Sequence, residues 1–201
     1  MKFQALVFDG FDELDVIGVY EPLRMAGQDV EYVSLYEQEV ITAGHGTKLM
    51  VSAVLALENK PDLLIVPGGG WIARSATGAW AEANKGFVLK RLQDFYRAGV
   101  QMASVCTGSL LLARAGLLEG RRATTNHGAV DELRQCGANY MDERVVDDGD
   151  IITAAGVTSS LDLGLWLVAR FVSQDKAVHI SQLLEYEIRQ GHVDEGKPNL
   201  R

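Results

Sequence analysis

A thiol stands at the junction between a predicted strand and a predicted helix. Val100–Val105 is rich in strand formers, Cys106 follows it, and an apolar helical run begins at Gly108. Backbone N–H groups at a helix start favour negative charge, so we expect the pKa of the Cys106 thiol to fall and its thiolate to act as a nucleophile. The arrangement resembles the nucleophile elbow of hydrolases. The competing interpretation is a buried core cysteine, which is common in intracellular proteins.

A glycine-rich turn offers donors for developing negative charge. The predicted strand Leu63–Val66 ends in Pro67-Gly68-Gly69-Gly70 and should neighbour the cysteine strand. Backbone groups of Gly69 and Gly70, together with Thr107 and Gly108, predict an oxyanion or substrate-binding site. The alternative is a tight turn that needs positive φ. Phosphate binding is less favoured, because neither a Gly-Lys-Ser/Thr motif nor a G-x-G-x-x-G motif is present.

Acidic residues crowd the segment that follows the first predicted strand. A carboxyl group close to the cysteine sulfur could hold a proton and act as acid or base. The residue types alone do not select among Asp9, Asp12, Glu13, Asp15 and Glu21. The alternative is that most of them are charges at a helix N-terminus.

The second cysteine and the four histidines suggest less chemistry. Cys136 lies near the end of a short predicted helix, where we expect a structural or exposed thiol. His45, His127, His179 and His192 show no metal-ligand spacing, so no metal or cofactor is predicted. His127 follows a predicted strand and could approach the site, His179 is expected on a helix face, and His192 lies in a polar tail.

Length and composition predict one domain, residues 1–201, with a net charge of −8. That charge argues against a nucleic-acid surface. The N-terminal segment lacks a cleavage site of a signal peptide, and no apolar run is long enough for a membrane span. We therefore expect a cytoplasmic protein, in which two cysteines are free thiols.

Strand and helix signals alternate along the chain, which is typical of a mostly parallel sheet with helices on both faces. Function collects at the carboxyl ends of such strands, here Asp9–Asp15, Pro67–Trp71 and Cys106–Ser109. The remaining predicted strands are Lys2–Phe8, Val30–Tyr36 and Arg121–Thr125, with hairpins in residues 40–57 and at Arg144–Val146 with Ile151–Ala155. The predicted helices are Val16–Met25, Ala81–Arg97, Gly108–Ala115, Ala129–Gln135, Leu161–Phe171 and Lys176–Ile188.

The three tryptophans fit several positions. Trp71 follows the glycine turn, where it would line a pocket or cap the surface. Trp80 precedes a predicted helix and is expected to pack at its start. Trp166 lies on an apolar helix face, which predicts a core or dimer-interface residue.

Four segments together resemble the DJ-1/PfpI superfamily, also called ThiJ/PfpI. They are DELDVIGVYEPL (12–23), LLIVPGGG (63–70), SVCTGSLLLARAGLLEGRRATT (104–125) and ITAAGVTSSLDLGLWLV (152–168). Within that superfamily the sequence is most similar to isocyanide (isonitrile) hydratases and to the amidase-like domains of AraC-type regulators. The resemblance implies a flavodoxin-like three-layer α/β sandwich of the class I glutamine amidotransferase type, with a small β-hairpin, and a homodimer.

The resemblance also implies roles for individual residues. Cys106 is the expected nucleophile, and the acid that faces it in the hydratase pattern corresponds to Asp15, in Leu14-Asp15-Val16-Ile17-Gly18. Thr107 matches the threonine beside the cysteine in isocyanide hydratases. PfpI-type proteases have histidine there, so this chain lacks the base of a Cys-His protease.

The sequence departs from the hydratase pattern beside the expected pocket. That pattern often reads Thr-Thr-His-Trp, whereas this chain has Thr124-Thr125-Asn126-His127. Asn126 and His127 are therefore candidate pocket residues of unassigned role. Gly18-Val19 also stands where Gly-Pro is common. No helix-turn-helix domain follows before Arg201, so we do not expect an AraC-type transcription factor.

The leading hypothesis is hydration of an isocyanide to an N-substituted formamide through a Cys106 thioimidate, with Asp15 as general acid and base. One alternative is glyoxalase III-like action on dicarbonyls through a hemithioacetal. Another is a protein without catalytic activity, either a thiol redox sensor or a ligand-binding module. A small-molecule substrate and a homodimer are expected, without nucleic acid or membrane partners.

Overall fold

Strands and helices alternate along the computed structural model, which describes residues 1–51 and 53–187. The strands are β1 (Lys2–Val7), β2 (Asp29–Ser34), β3 (Val40–Thr42), β4 (Lys48–Met50), β5 (Ala53–Val54), β6 (Leu63–Val66), β7 (Gln101–Val105), β8 (Arg122–Ala123), β9 (Asn139–Tyr140), β10 (Val145–Asp147) and β11 (Ile151–Ala154). The helices are α1 (Glu13–Met25), α2 (Ala79–Lys85), α3 (Phe87–Arg97), α4 (Gly108–Arg114), α5 (Val130–Gln135), α6 (Ser159–Phe171) and α7 (Gln174–Leu183). Short 3-10 turns lie at Leu57–Asn59 and His127–Ala129.

The central sheet has seven strands in the order β10-β11-β7-β6-β1-β2-β5. All neighbouring pairs are parallel except β10 with β11. Strands β3 and β4 form a separate antiparallel hairpin, and β8 pairs with β9 in parallel. This sheet confirms the predicted flavodoxin-like fold and its small hairpin.

Helices cover both faces of the sheet, which gives three layers. One face carries α1, α6 and α7, and the other carries α2, α3, α4 and α5. Strands β6 and β11 are buried along their whole length, as expected for strands covered on both faces. The carboxyl ends of β6 and β7 lie side by side, and both lead into the candidate site.

Helices α1 and α6 pack closely because small residues meet at their contact. A Cβ atom at Gly18 would overlap the Ser160 side chain, and one at Gly164 would lie 2.9 Å from Cγ of Pro22. Glycine at both positions therefore lets the two backbones approach. This contact fixes α1, whose first turn carries Asp15.

One predicted helix is wrong as a single element. Instead of one helix over Ala81–Arg97, the chain forms α2 and α3, separated at Gly86. Gly86 has φ +78°, a left-handed conformation that ends α2 and redirects the chain. The apolar periodicity continues across this break, so the pattern did not reveal it.

Other boundaries differ because local partners decide them. The predicted strand Arg121–Thr125 is reduced to Arg122–Ala123 by its short pairing with β9, which was not predicted. The predicted hairpin in residues 40–57 also yields β5, the edge strand of the central sheet. In place of Lys176–Ile188, α7 begins after the N-cap Ser173 and ends at Leu183, while residue 188 lies outside the described residues.

Across residues 1–51 and 53–187, no helix is both long enough and apolar enough to cross a membrane. The same residues hold no cluster of His, Cys, Asp and Glu that is suited to a metal ion.

Candidate active site

Cys106 occupies a strained turn between β7 and α4. Its φ is +56°, a conformation that costs a residue other than glycine about 1–3 kcal/mol. Surrounding hydrogen bonds hold this turn: the Cys106 N–H donates to the carbonyls of Ala154 and Ala155, each at 3.0 Å. The Cys106 carbonyl accepts from Ser109 Oγ at 3.0 Å and from Thr125 Oγ1 at 3.1 Å. The backbone is therefore fixed from both sides with the thiol at the end of the strand.

Asp15 is the buried acid of the site. It lies in the first turn of α1, begun by the N-cap Asp12, and its side chain has no solvent exposure. Its Oδ2 accepts from the Gly68 N–H at 2.8 Å, and its Oδ1 has no hydrogen-bond partner within the described residues. Burial and then the charge of Asp12 raise the pKa of Asp15 well above its usual value. Burial therefore favours the protonated carboxyl group over the carboxylate.

The other four acidic candidates have structural positions. Asp12 caps α1 and accepts from Leu14 N, while Glu13 accepts from the backbone and ring of His45. Asp9 accepts from Thr42 N in the hairpin. Glu21 is exposed on α1. The structure thus separates Asp15 from its acidic neighbours by burial.

The predicted oxyanion donors lie around the cysteine in different ways. The Thr107 N–H faces the Cys106 sulfur, whereas the Gly69 N–H donates to Thr107 Oγ1 at 3.3 Å. Gly70 closes a turn in which its carbonyl accepts from the N–H of residue 75 at 2.9 Å. Gly108 begins α4 against the end of β6, where a Cβ atom would lie 2.8 Å from the carbonyl carbon of Pro67. A side chain at Gly68 would overlap Thr107 Oγ1, so glycine lets the Asp15 and Cys106 loops meet.

The predicted low pKa of the Cys106 thiol is wrong for the folded protein. The side chain is nearly inaccessible, and burial followed by the charge of Asp15 raises its pKa to about 12. The N–H groups of Thr107 and Val157 and the side chain of Asn126 act in the opposite direction. The pKa of Asp15 is raised as well, so a proton on either group weakens the repulsion between the two. The thiol and the carboxyl therefore have to be treated as one coupled pair.

The three candidate pocket residues occupy different environments. Asn126 lies beside Cys106, whereas His127 is exposed in the following 3-10 turn. Trp71 is buried, packs edge-on against Trp80 at 5.4 Å between ring centroids, and donates from Nε1 to Glu132 at 3.2 Å. Trp71 is therefore neither a surface cap nor exposed to solvent.

Three residues of the site were given no role from the sequence. Ser109 and Thr125 hold the Cys106 carbonyl, and Val157 directs its N–H to the sulfur. Thr125 and Val157 follow different strands from the cysteine, so no spacing rule connects them to it. Ser109 lies three residues after Cys106, and a Cys-x-x-Ser spacing at a strand–helix junction could have indicated its hydrogen bond.

Comparison with known proteins relates this geometry to a family. Residues 1–170 match the DJ-1/PfpI family. Isonitrile hydratase from Pseudomonas putida is 34% identical over 192 residues, which cover 92% of this chain and 78% of that protein. The HTH-type transcriptional regulator CdhR from Pseudomonas aeruginosa is 34% identical over 189 residues, 90% of this chain and 53% of the regulator. The chain thus spans about half the length of that regulator.

A solved structure shares the architecture. A ThiJ/PfpI family protein from Pseudomonas syringae superposes with a TM-score of 0.78 at 30% identity, covering 98% of this chain and 78% of that protein. The buried thiol at a strained turn and the buried carboxyl group of Asp15 lie within the residues that match the family. Chemically, such a pair can form a covalent bond to an electrophilic carbon and move a proton to or from it.

Proposed function

Because the chain belongs to the DJ-1/PfpI family, we propose that it hydrates isocyanides to N-substituted formamides, with Cys106 as the nucleophile and Asp15 as general acid and base. One observation carries this proposal: the buried Asp15 beside Cys106 has a raised pKa, and its Oδ1 has no hydrogen-bond partner among residues 1–51 and 53–187. An isocyanide carbon must gain both a nucleophile and a proton, and this pair supplies both. The 34% identity to isonitrile hydratase supports the choice of substrate class.

The first step forms the thioimidate. The sulfur of Cys106 bonds to the terminal carbon of the isocyanide, and Asp15 relays the thiol proton to the same carbon. The product is R–N=CH–S–Cys106, so the S–H bond has been replaced by a C–S bond and a C–H bond. A protonated Asp15 suits this relay, because it can donate its own proton to the carbon as it takes up the thiol proton, and burial shifts its pKa in the direction that favours this state.

The second step consumes water. Asp15 then relays a proton from a water molecule to the thioimidate nitrogen, while the oxygen of that water bonds to the thioimidate carbon. The C–S bond then breaks, the sulfur leaves with the electron pair, and the hydroxyl proton returns to the pair of Cys106 and Asp15. The released product is R–NH–CHO, and the net change is the addition of one water molecule. The N–H groups of Thr107 and Val157 stabilise sulfur when it carries charge.

A second candidate is a ligand-binding module without turnover. The similarity to the regulator CdhR favours it, because the chain matches about half of that protein. In this case the same pocket would bind a small molecule, and Cys106 would not be consumed and regenerated in a cycle. A homodimer belongs to either proposal as an expectation.

The test follows isocyanide consumption by infrared absorption for the wild-type protein, Cys106→Ala and Asp15→Ala. We expect turnover in the wild type and its loss in both variants, with Cys136→Ala as the control that retains it. A wild type that binds a simple alkyl isocyanide without consuming it would favour the binding module. A wild type that ignores isocyanides but converts a dicarbonyl would favour the glyoxalase-like alternative.

A further inference from the structure

Asn126 replaces the histidine that often follows the two threonines in the hydratase pattern, and its contacts define what an amide does there. The Asn126 Oδ1 accepts from the Gly128 N–H at 2.9 Å, as the N-cap of the 3-10 turn His127–Ala129. This hydrogen bond fixes the amide orientation, because the oxygen faces the turn and the nitrogen faces the opposite way. Nδ2 is then the atom available to the Cys106 sulfur.

The opposite side of the amide is also restricted. A Cβ atom at Gly156 would lie 3.0 Å from Asn126 Nδ2, so the amide nitrogen packs against the backbone just before Val157. The Val157 N–H faces the same sulfur. Asn126 and Val157 therefore approach Cys106 together as two donors, while Thr107 supplies a third from the elbow itself.

We propose that Asn126 is a further catalytic residue, which donates a hydrogen bond from Nδ2 to the Cys106 sulfur and stabilises it as attacking nucleophile and as leaving group. This inference rests on the proposed role of Cys106 as nucleophile. An amide has no titratable proton, so its hydrogen bond persists across the pH range in which a histidine would change charge. Proton transfer is thereby left to Asp15, whose own environment includes Asp12.

Two substitutions of Asn126 distinguish hydrogen-bond donation by Nδ2 from capping of the 3-10 turn by Oδ1. Asn126→Asp has nearly the same shape and still accepts from Gly128 N, but it loses the donor and adds a negative charge. Asn126→Ser retains an N-cap oxygen and is too short to reach the sulfur. Asn84→Ala is the matched control, because that exposed amide accepts at 3.3 Å from Arg114, which lies at the opposite end of α4 from Cys106.

The readout is the rate of iodoacetamide alkylation of Cys106 as a function of pH, resolved from Cys136 by mass spectrometry of the intact, folded protein. We expect Asn126→Asp to lower the alkylation rate of Cys106 about tenfold or more at pH 8 and to move the titration of the thiol to higher pH. Asn126→Ser should slow it severalfold, and Asn84→Ala should match the wild type. In every variant Cys136 should react as in the wild type, which reports that the fold is intact.

Two outcomes would overturn the inference in distinguishable ways. If Cys106 is alkylated in the wild type and at the same rate in both Asn126 variants, the amide only caps the turn. The proposed role of Cys106 as nucleophile would then still stand. If Cys106 of the wild type is inert at every pH while Cys136 reacts, the proposed nucleophile itself fails together with its donor.

Discussion

Two buried carboxyl groups of this molecule have opposite surroundings. Asp147, at the end of β10, accepts from Arg170 Nη1 at 2.6 Å, from Trp166 Nε1 at 2.9 Å and from Gly149 N at 3.0 Å. Asp15 is buried at least as deeply but receives one backbone N–H and no cation from the described residues. Burial without a cation is costly for a charge, so a group kept in that state is a candidate for chemistry.

Asp162 belongs with Asp147 in this comparison. It lies in the first turn of α6 and accepts from Arg144 Nε at 2.6 Å and from Tyr186 Oη at 3.0 Å. Both acids tie a helix to a neighbouring segment through an arginine. The difference sets Asp15 apart from the other two acids: it is buried without a counter-charge, which makes it the candidate for proton transfer.

The largest expected effect tests this contrast in activity. Asp15→Asn retains an oxygen for the Gly68 N–H but cannot transfer a proton, so turnover should fall about 100-fold to 10,000-fold. Asp147→Asn should retain turnover within a few-fold when the protein is folded. The measurement is the initial rate of isocyanide consumption. Equal losses in the two variants would remove the distinction between the acids.

The second effect concerns stability, for which we expect Asp147 to matter more than Asp15. Asp147→Asn leaves Arg170 without its carboxylate, and because that side chain is 25% exposed we expect a loss of about 2 kcal/mol in the free energy of unfolding. Urea denaturation monitored by circular dichroism measures it. A variant as stable as the wild type would show that solvent satisfies Arg170 and that the pair is not structural.

The third effect concerns stability and pH at Asp15. Its folded-state pKa lies above the ordinary value, so the unfolded chain ionises first and native stability is lost as pH rises from about 3.8 towards the folded pKa. Asp15→Asn removes that loss. Its Tm should therefore exceed that of the wild type at pH 8, and the gain should shrink as pH falls to 4. A gain that is constant with pH would mean that packing, not ionisation, is responsible.

The smallest effect should come from Asp12→Asn. Asparagine is an equally good N-cap, so the substitution removes charge and leaves the start of α1 intact. Without the Asp12 charge the pKa of Asp15 should decrease, and turnover should decline at a lower pH than in the wild type. The pH–rate profile measures this, with the exposed Asp131→Asn on α5 as control. An unchanged profile would show that burial alone sets the protonation of Asp15.

Much of the fold was predictable because its signals are local. The apolar runs of β6 and β7, the turn residues after them and the helical run from Gly108 predicted parallel strands that end side by side. The predictions of helices and strands that were wrong depended on single residues or on partners distant in sequence. Gly86 interrupts a continuous apolar periodicity, and β9 exists because β8 reaches it across the fold.

The sequence by itself determined the family and the placement of Cys106 between a strand and a helix, because segment order, residue type and periodicity are properties of the chain. Only the tertiary structure decided the state of that thiol. Burial and a neighbouring carboxyl raise its pKa, against the expectation from a helix start. It also decided the orientation of the Asn126 amide, whose oxygen accepts from the Gly128 N–H. Desolvation and hydrogen bonding depend on what surrounds a group in three dimensions, and the sequence does not specify those neighbours locally.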